Sequence, residues 1–101
     1  MTEKFQKLVD YNIQLLPIPE IERHFVFERD GFAALVERIN NDFGRVGTAG
    51  LLNANGVAPL VWRGSDAFFI ARNFEQRATG EQVERLRAFQ KDLTAALTPV
   101  P

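Results

Sequence analysis

Residues 57–71, VAPLVWRGSDAFFIA, carry the strongest hydrophobic pattern in the chain. Val57, Pro59 and Val61 fall on one side of an extended backbone, and Ala58, Leu60 and Trp62 fall on the other. Ala67, Phe69 and Ala71 then alternate with Phe68 and Ile70. Between the two runs lies Arg63-Gly64-Ser65-Asp66. Gly-Ser at its centre suits a type II′ hairpin, in which Gly takes the positive φ. That turn sets Trp62 opposite Ala67, Val61 opposite Phe68 and Leu60 opposite Phe69. Both faces of the ribbon are apolar, so both require cover.

Before it, residues 2–16 place Phe5, Leu8, Val9, Ile13 and Leu16 at helical spacing, with Thr2 as N-cap. The pattern predicts a helix to about Tyr11, followed by an extended stretch through Pro17 and Pro19. A strand over 12–16 is the rival reading of its tail. Residues 22–29 (ERHFVFER) read as a strand, with Phe25 and Phe27 on one face and His24, Val26 and Glu28 on the other. Asp30-Gly31 then predicts a type I′ turn. Residues 32–38 return with Val26 opposite Leu35 and His24 opposite Glu37. Phe32, Leu35, Val36, Ile39 and Phe43 also fit a helix from Asp30 to Gly44. The Asp-Gly turn and the aromatic strand before it favour the hairpin. In that reading Asn40-Asn41-Asp42 opens a loop.

Residues 46–53 form a strand in which Gly47 and Gly50 signal a bulge or a close backbone approach. Asn55-Gly56 turns it into the central hairpin. Residues 73–76 read as an extension of the last strand. Thr79-Gly80-Glu81-Gln82 is a capping box, with Thr at N-cap and Gln at N3. Val83, Leu86, Phe89, Leu93 and Leu97 follow on one face, and Pro99 stops the helix. Burying these five side chains contributes on the order of 8–15 kcal/mol before chain entropy is subtracted.

The expected architecture is therefore α+β, one domain over residues 1–101. A short N-terminal helix and Pro-containing linker occupy 1–20. An antiparallel meander of about five strands occupies 21–77. An amphipathic helix over 79–97 packs on one face of the sheet. The second face falls to the N-terminal helix or to a second copy of the chain.

Composition narrows the function classes. A chain of 101 residues with 46% hydrophobic content builds one small core. A net charge of −1 lacks the basic surplus that neutralises phosphates, which disfavours nucleic acid. The absence of cysteine excludes disulfides, thiol catalysis and thiolate metal sites, and it fits a cytoplasmic location. Residues 1–12 lack the apolar core of a secretory leader, and no apolar run is long enough to span a bilayer.

Candidate chemistry is sparse. His24 is the only histidine. With Glu20, Glu22 and Glu28 on its face it outlines a carboxylate–imidazole cluster, but a solvated strand face explains the same residues. Ser65, Asp66 and His24 contain the residue types of a hydrolytic triad without its local context. The 44–50 stretch is Gly-rich but lacks the Lys and helix of a phosphate loop, leaving Arg45 and Thr48 as a weak anion candidate.

Arg63, Arg72 and Arg77 near Trp62, Phe69 and Phe74 could stack on single-stranded nucleic acid. Trp62, Phe69, Leu60 and Phe27, with Arg63 and Arg72, are the interface or pocket candidates. No catalytic residue, cofactor or metal ligand is assigned. The leading expectation is a non-catalytic interaction or assembly module, homodimeric or bound to another protein. The alternatives are a small-molecule-binding domain or minor enzyme with a pocket between sheet and helix, and a weak binder of single-stranded nucleic acid.

Overall fold

The computed structural model describes residues 2–18, 21–40, 42–53 and 56–97. Helix α1 (Thr2–Asp10) leads into seven strands, β1 (Gln14–Leu16), β2 (His24–Arg29), β3 (Phe32–Ile39), β4 (Asp42–Asn53), β5 (Gly56–Arg63), β6 (Asp66–Ala71) and β7 (Phe74–Arg77), and helix α2 (Gly80–Leu97) closes the chain. The strands form one antiparallel sheet in sequence order. The Thr2 side chain and the roles expected of Pro19, Glu20, Asn41, Asn55 and Pro99 lie outside the described residues.

The turns set the register. In the central hairpin Leu60 pairs with Phe69, Val61 with Phe68 and Trp62 with Ala67. Gly64 there has φ +66°, as a II′ turn demands of its first central residue. In the β2–β3 hairpin, Asp30 and Gly31 both have positive φ, the type I′ signature, and Val26 pairs with Leu35 and His24 with Glu37. Residues 32–39 are therefore strand, and the helical alternative is overturned.

The sheet has seven strands where the pattern predicts about five. Two asparagines in left-handed conformation account for the difference. Asn12 (φ 60°) ends α1 in a Schellman motif, with Ile13 N–H donating to Leu8 O and Asn12 N–H to Val9 O. Leu8 and Ile13 meet in the core, and the chain leaves as β1. Asn73 (φ 58°) reverses the chain after Ala71, so residues 74–77 pair back on β6 rather than extending it. The loop expected to open at 40–42 is overturned at Asp42, where β4 is already under way.

Strand β4 carries two register shifts against β3. Ala34 pairs with Ala49, Val36 with Val46 and Arg38 with Phe43, so three β4 residues face two of β3 at each step. Phe43, Val46 and Ala49 thus recur every third residue on the helix side, all in or against the core. At Gly47 an added Cβ would lie 2.8 Å from Leu35 O, and at Gly50 2.1 Å from Ala58 O. Pro59 closes the β4 pairing of β5, which passes to β6 from Leu60 onward. Its missing N–H falls at this handover. The rings of Phe32 on β3 and Phe69 on β6 lie 6.0 Å apart.

Both helices lie on the side of Phe32 and Phe69. Val83, Leu86, Phe89, Leu93, Ala96 and Leu97 of α2 are all buried. Beneath them the middle of the sheet is paved with Ala34, Ala49 and Ala58, flanked by Phe27, Phe32 and Phe69. Small residues under large helical ones let α2 approach β3 and β4 closely. Its N-terminus is held by the capping box, with Thr79 N–H donating to Gln82 Oε1 (2.9 Å) and Gln82 N–H to Thr79 Oγ1 (3.1 Å).

Helix α1 sits beside α2. Leu8 joins the core, and Phe5 meets Phe43 edge-on at 5.9 Å. Arg29 ties the layers together, donating to Tyr11 O at 3.0 Å and to Asp92 Oδ2 at 2.9 Å. The second-face position considered for α1 is thereby corrected, because its buried residue Leu8, with Ile13 just past its end, is in the same cluster as Leu86 and Phe89.

Two glycines should respond oppositely to alanine in urea denaturation. Gly50→Ala drives a Cβ into the β5 backbone and should cost about 2–3 kcal/mol. Gly80→Ala meets open space in the first turn of α2 and should gain about 0.5–1 kcal/mol. A neutral Gly50→Ala would contradict the close β4–β5 approach. Asp92→Ala, which strands a largely buried Arg29, should cost roughly 1–3 kcal/mol. Glu81→Ala breaks only the exposed Glu81–Arg85 pair and should stay within about 0.5 kcal/mol.

Candidate functional site: the open sheet face

Since both helices occupy one side, the alternate residues of every strand face away from them. On this second face β3 presents Leu35, β4 Leu52, β5 Val57, Pro59 and Val61, and β6 Phe68 and Ile70. Leu35, Leu52, Val57, Phe68 and Ile70 are half-buried, Pro59 is exposed, and Val61 is 38% exposed. Val26 and Ala33, deeper in the sheet, are buried. No described helix covers these side chains.

One end of the face carries charge. Arg63 reaches across the Phe68 ring, its guanidinium carbon 5.3 Å from the centroid, to Glu75 Oε1 at 3.1 Å. Alongside it Arg77 donates to Asp66 Oδ1 at 2.7 Å. Two ion pairs thus strap the β5–β7 end, and the aliphatic part of Arg63 shields Phe68. All four side chains are at least half exposed, so the pairs hold little energy of their own. Beyond the strap the face is apolar as far as Leu35.

The residues singled out from the sequence do not converge. Phe27 and Phe69 are fully buried, and Leu60 packs against the same core from beside Phe69. Trp62 lies on the helix side at the rim, 50% exposed, with the Arg87 guanidinium 6.0 Å above its ring. Arg63 is on the opposite face. Arg72 is exposed at the β6–β7 turn. Arg63 and Arg77 are engaged by Glu75 and Asp66, so the basic-aromatic row expected for nucleic acid is charge-balanced here.

His24 faces Glu37 across β2–β3, and no cluster of three metal-binding side chains occurs among the described residues. Ser65 and Asp66 are in the hairpin turn, far along the sheet order from His24. Neither cavity detailed in the structure, one by Leu15–Arg38 and one by Val9–Asp30, is lined by Trp62, Phe69 or Phe27.

No protein-family model, curated protein or solved structure matches this chain. Among the described residues no helix is long and apolar enough to cross a membrane. The open face therefore rests on its own geometry.

The sequence did hold the signal for it. Phe68 and Phe69 must point to opposite sides of a strand, and once Phe69 is taken by the helix, Phe68 marks the other face. Val57, Val61 and Ile70 follow by alternation. The strap was hidden, because Arg63 meets Glu75 across two strands and their register depends on the Asn73 turn.

The strap generates a test. Arg63→Ala should change stability by less than about 1 kcal/mol. It should also raise the fluorescence of an added anilinonaphthalene sulfonate, because Phe68 loses its cover. Unchanged dye binding would mean that Arg63 shields nothing.

Proposed function

We propose that this chain is a non-catalytic assembly module that pairs with a second copy of itself through the open sheet face. The observation that carries the reading is the placement of both helices on one side of a sheet that is apolar on two. Exposed apolar surface of this extent commonly marks an interaction site.

A second copy is the occupant that the charges favour. The strap has two cations and two anions, and the chain as a whole carries only −1, so two like faces repel weakly. A two-fold arrangement lets Arg63 and Arg77 of one copy meet Asp66 and Glu75 of the other. A strongly acidic or basic partner would find no net charge to match.

The area sets the strength. Five strands about 4.8 Å apart and about 20 Å long offer roughly 500 Å² per copy, or about 1,000 Å² in total. That is the lower end for a specific interface, so a dimer in the micromolar range is expected.

Light scattering coupled to size exclusion, from about 1 to 500 μM, reads this directly. The apparent mass should rise from one chain to two, and Val57→Lys or Ile70→Lys should hold the protein at one chain without loss of fold. Mixing an Arg63→Glu/Arg77→Glu variant with an Asp66→Arg/Glu75→Arg variant should restore pairing that each lacks alone. A wild-type protein that stays monomeric throughout the range would end the proposal.

A further inference from the structure

Between β1 and β2, at the far end of the sheet from the strap, Pro17, Ile18, Ile21 and Glu22 stand beside the start of β2. Two backbone hydrogen bonds hold these described residues. Ile21 N–H donates to Ile18 O at 3.1 Å, and Arg38 N–H donates to Arg23 O at 2.9 Å. Between them and the first residues of β2 is a cavity of about 410 Å³. Leu15, Leu16, Pro17, Ile18, Ile21 and Val26 give it an apolar lining. The volume is within the range of small-molecule sites, and such sites pair an apolar lining with a few placed polar groups.

Those polar groups are His24, Glu22 and Arg38. Arg38 is pre-positioned, its guanidinium carbon lying 4.4 Å from the Phe25 centroid. A planar guanidinium stacked on a ring keeps its N–H edge free for a two-point contact with a carboxylate. Among the described residues Arg38 makes no ion pair, unlike Arg29, Arg63, Arg77 and Arg85. Glu22 and Glu37 are the nearby described acids in sequence and register, and neither is in an ion pair among the described residues. The cavity thus joins an apolar interior to one oriented, unpaired cation.

We propose that this cavity binds a small apolar monocarboxylate, of branched-alkyl or aryl type, with its carboxylate on Arg38 and its hydrocarbon part against Leu15, Ile18 and Ile21. The site is at the opposite end of the sheet from the charged strap and does not rest on the assembly reading. A ligand of eight to ten heavy atoms in a cavity open to solvent should bind with a Kd on the order of 0.1–1 mM.

Titration of the ¹⁵N-labelled full chain with sodium 4-methylpentanoate and sodium phenylacetate, each beside its neutral amide, tests this. Shifts should be confined to residues 15–26 and Arg38, and the acids should bind at least tenfold tighter than the amides. Arg38→Gln should weaken the acids tenfold or more while leaving spectral dispersion intact, and Arg38→Lys should retain part of the affinity. Absence of shifts at 20 mM acid would overturn the proposal. So would equal binding of acid and amide, or shifts confined to Val57 and Ile70 on the open face.

Discussion

The structure depends on the seating of α2 over an alanine pavement. Ala34, Ala49 and Ala58 leave a shallow trough in the middle of the sheet, and Leu86, Phe89 and Leu93 are among the large residues that bury against it. Bulk on the helix and smallness on the sheet are complementary, so the two layers come close. The two bulges in β4 serve the same contact. They bring Phe43, Val46 and Ala49 to the helix side at three-residue intervals, where simple alternation would have turned Val46 away. Phe43 then becomes the hub of an aromatic cluster, 4.9 Å from Phe25 and 5.6 Å from Phe27.

That arrangement has a one-sided outcome. Once α2 fills the trough, the remaining helix docks beside it, where Leu8, Ile13 and the Arg29–Asp92 pair can hold it. Nothing among the described helices is left for the reverse side. The β5–β7 end of that side is handled by charged side chains lying over Phe68, and the middle stays apolar. Association is the reading that uses this surface, and the strap gives it a polarity, with a charged margin at one end and a greasy centre. The cavity at the other end is separate in chemistry, since Arg38 is in no ion pair among the described residues, whereas the stacked Arg63 of the open face is held by Glu75.

Much of the fold was legible in the sequence because local rules fixed it. Asp30-Gly31 and Gly64-Ser65 dictated their turns, and the registers of both hairpins follow from them. The capping box and the five-residue stripe defined α2. What escaped depended on non-glycine residues taking left-handed backbone. Asn12 and Asn73 each created a strand, the first legible only as the rival reading of residues 12–16 and the second read only as an extension of the strand before it. The bulges were announced by Gly47 and Gly50, but their effect on facing could be read only against a paired β3. Of the site, alternation at Phe68-Phe69 gave the face. The strap and the Arg38–Phe25 stack needed tertiary distances.

The meander has a consequence for how the chain reaches this state. Every strand pairs with its neighbour in sequence, and most connections are two-residue turns, so each closure spans few residues. Folding rate falls as contacts become more distant along the chain, and here only the helix docking joins remote segments. Hairpins can therefore zip successively as they emerge, while the trough remains unfilled until residues 80–97 arrive. An unfinished chain would present the Phe27 and Phe69 side of its sheet bare, which makes the last eighteen residues of structure the internal shield of a nascent β-sheet.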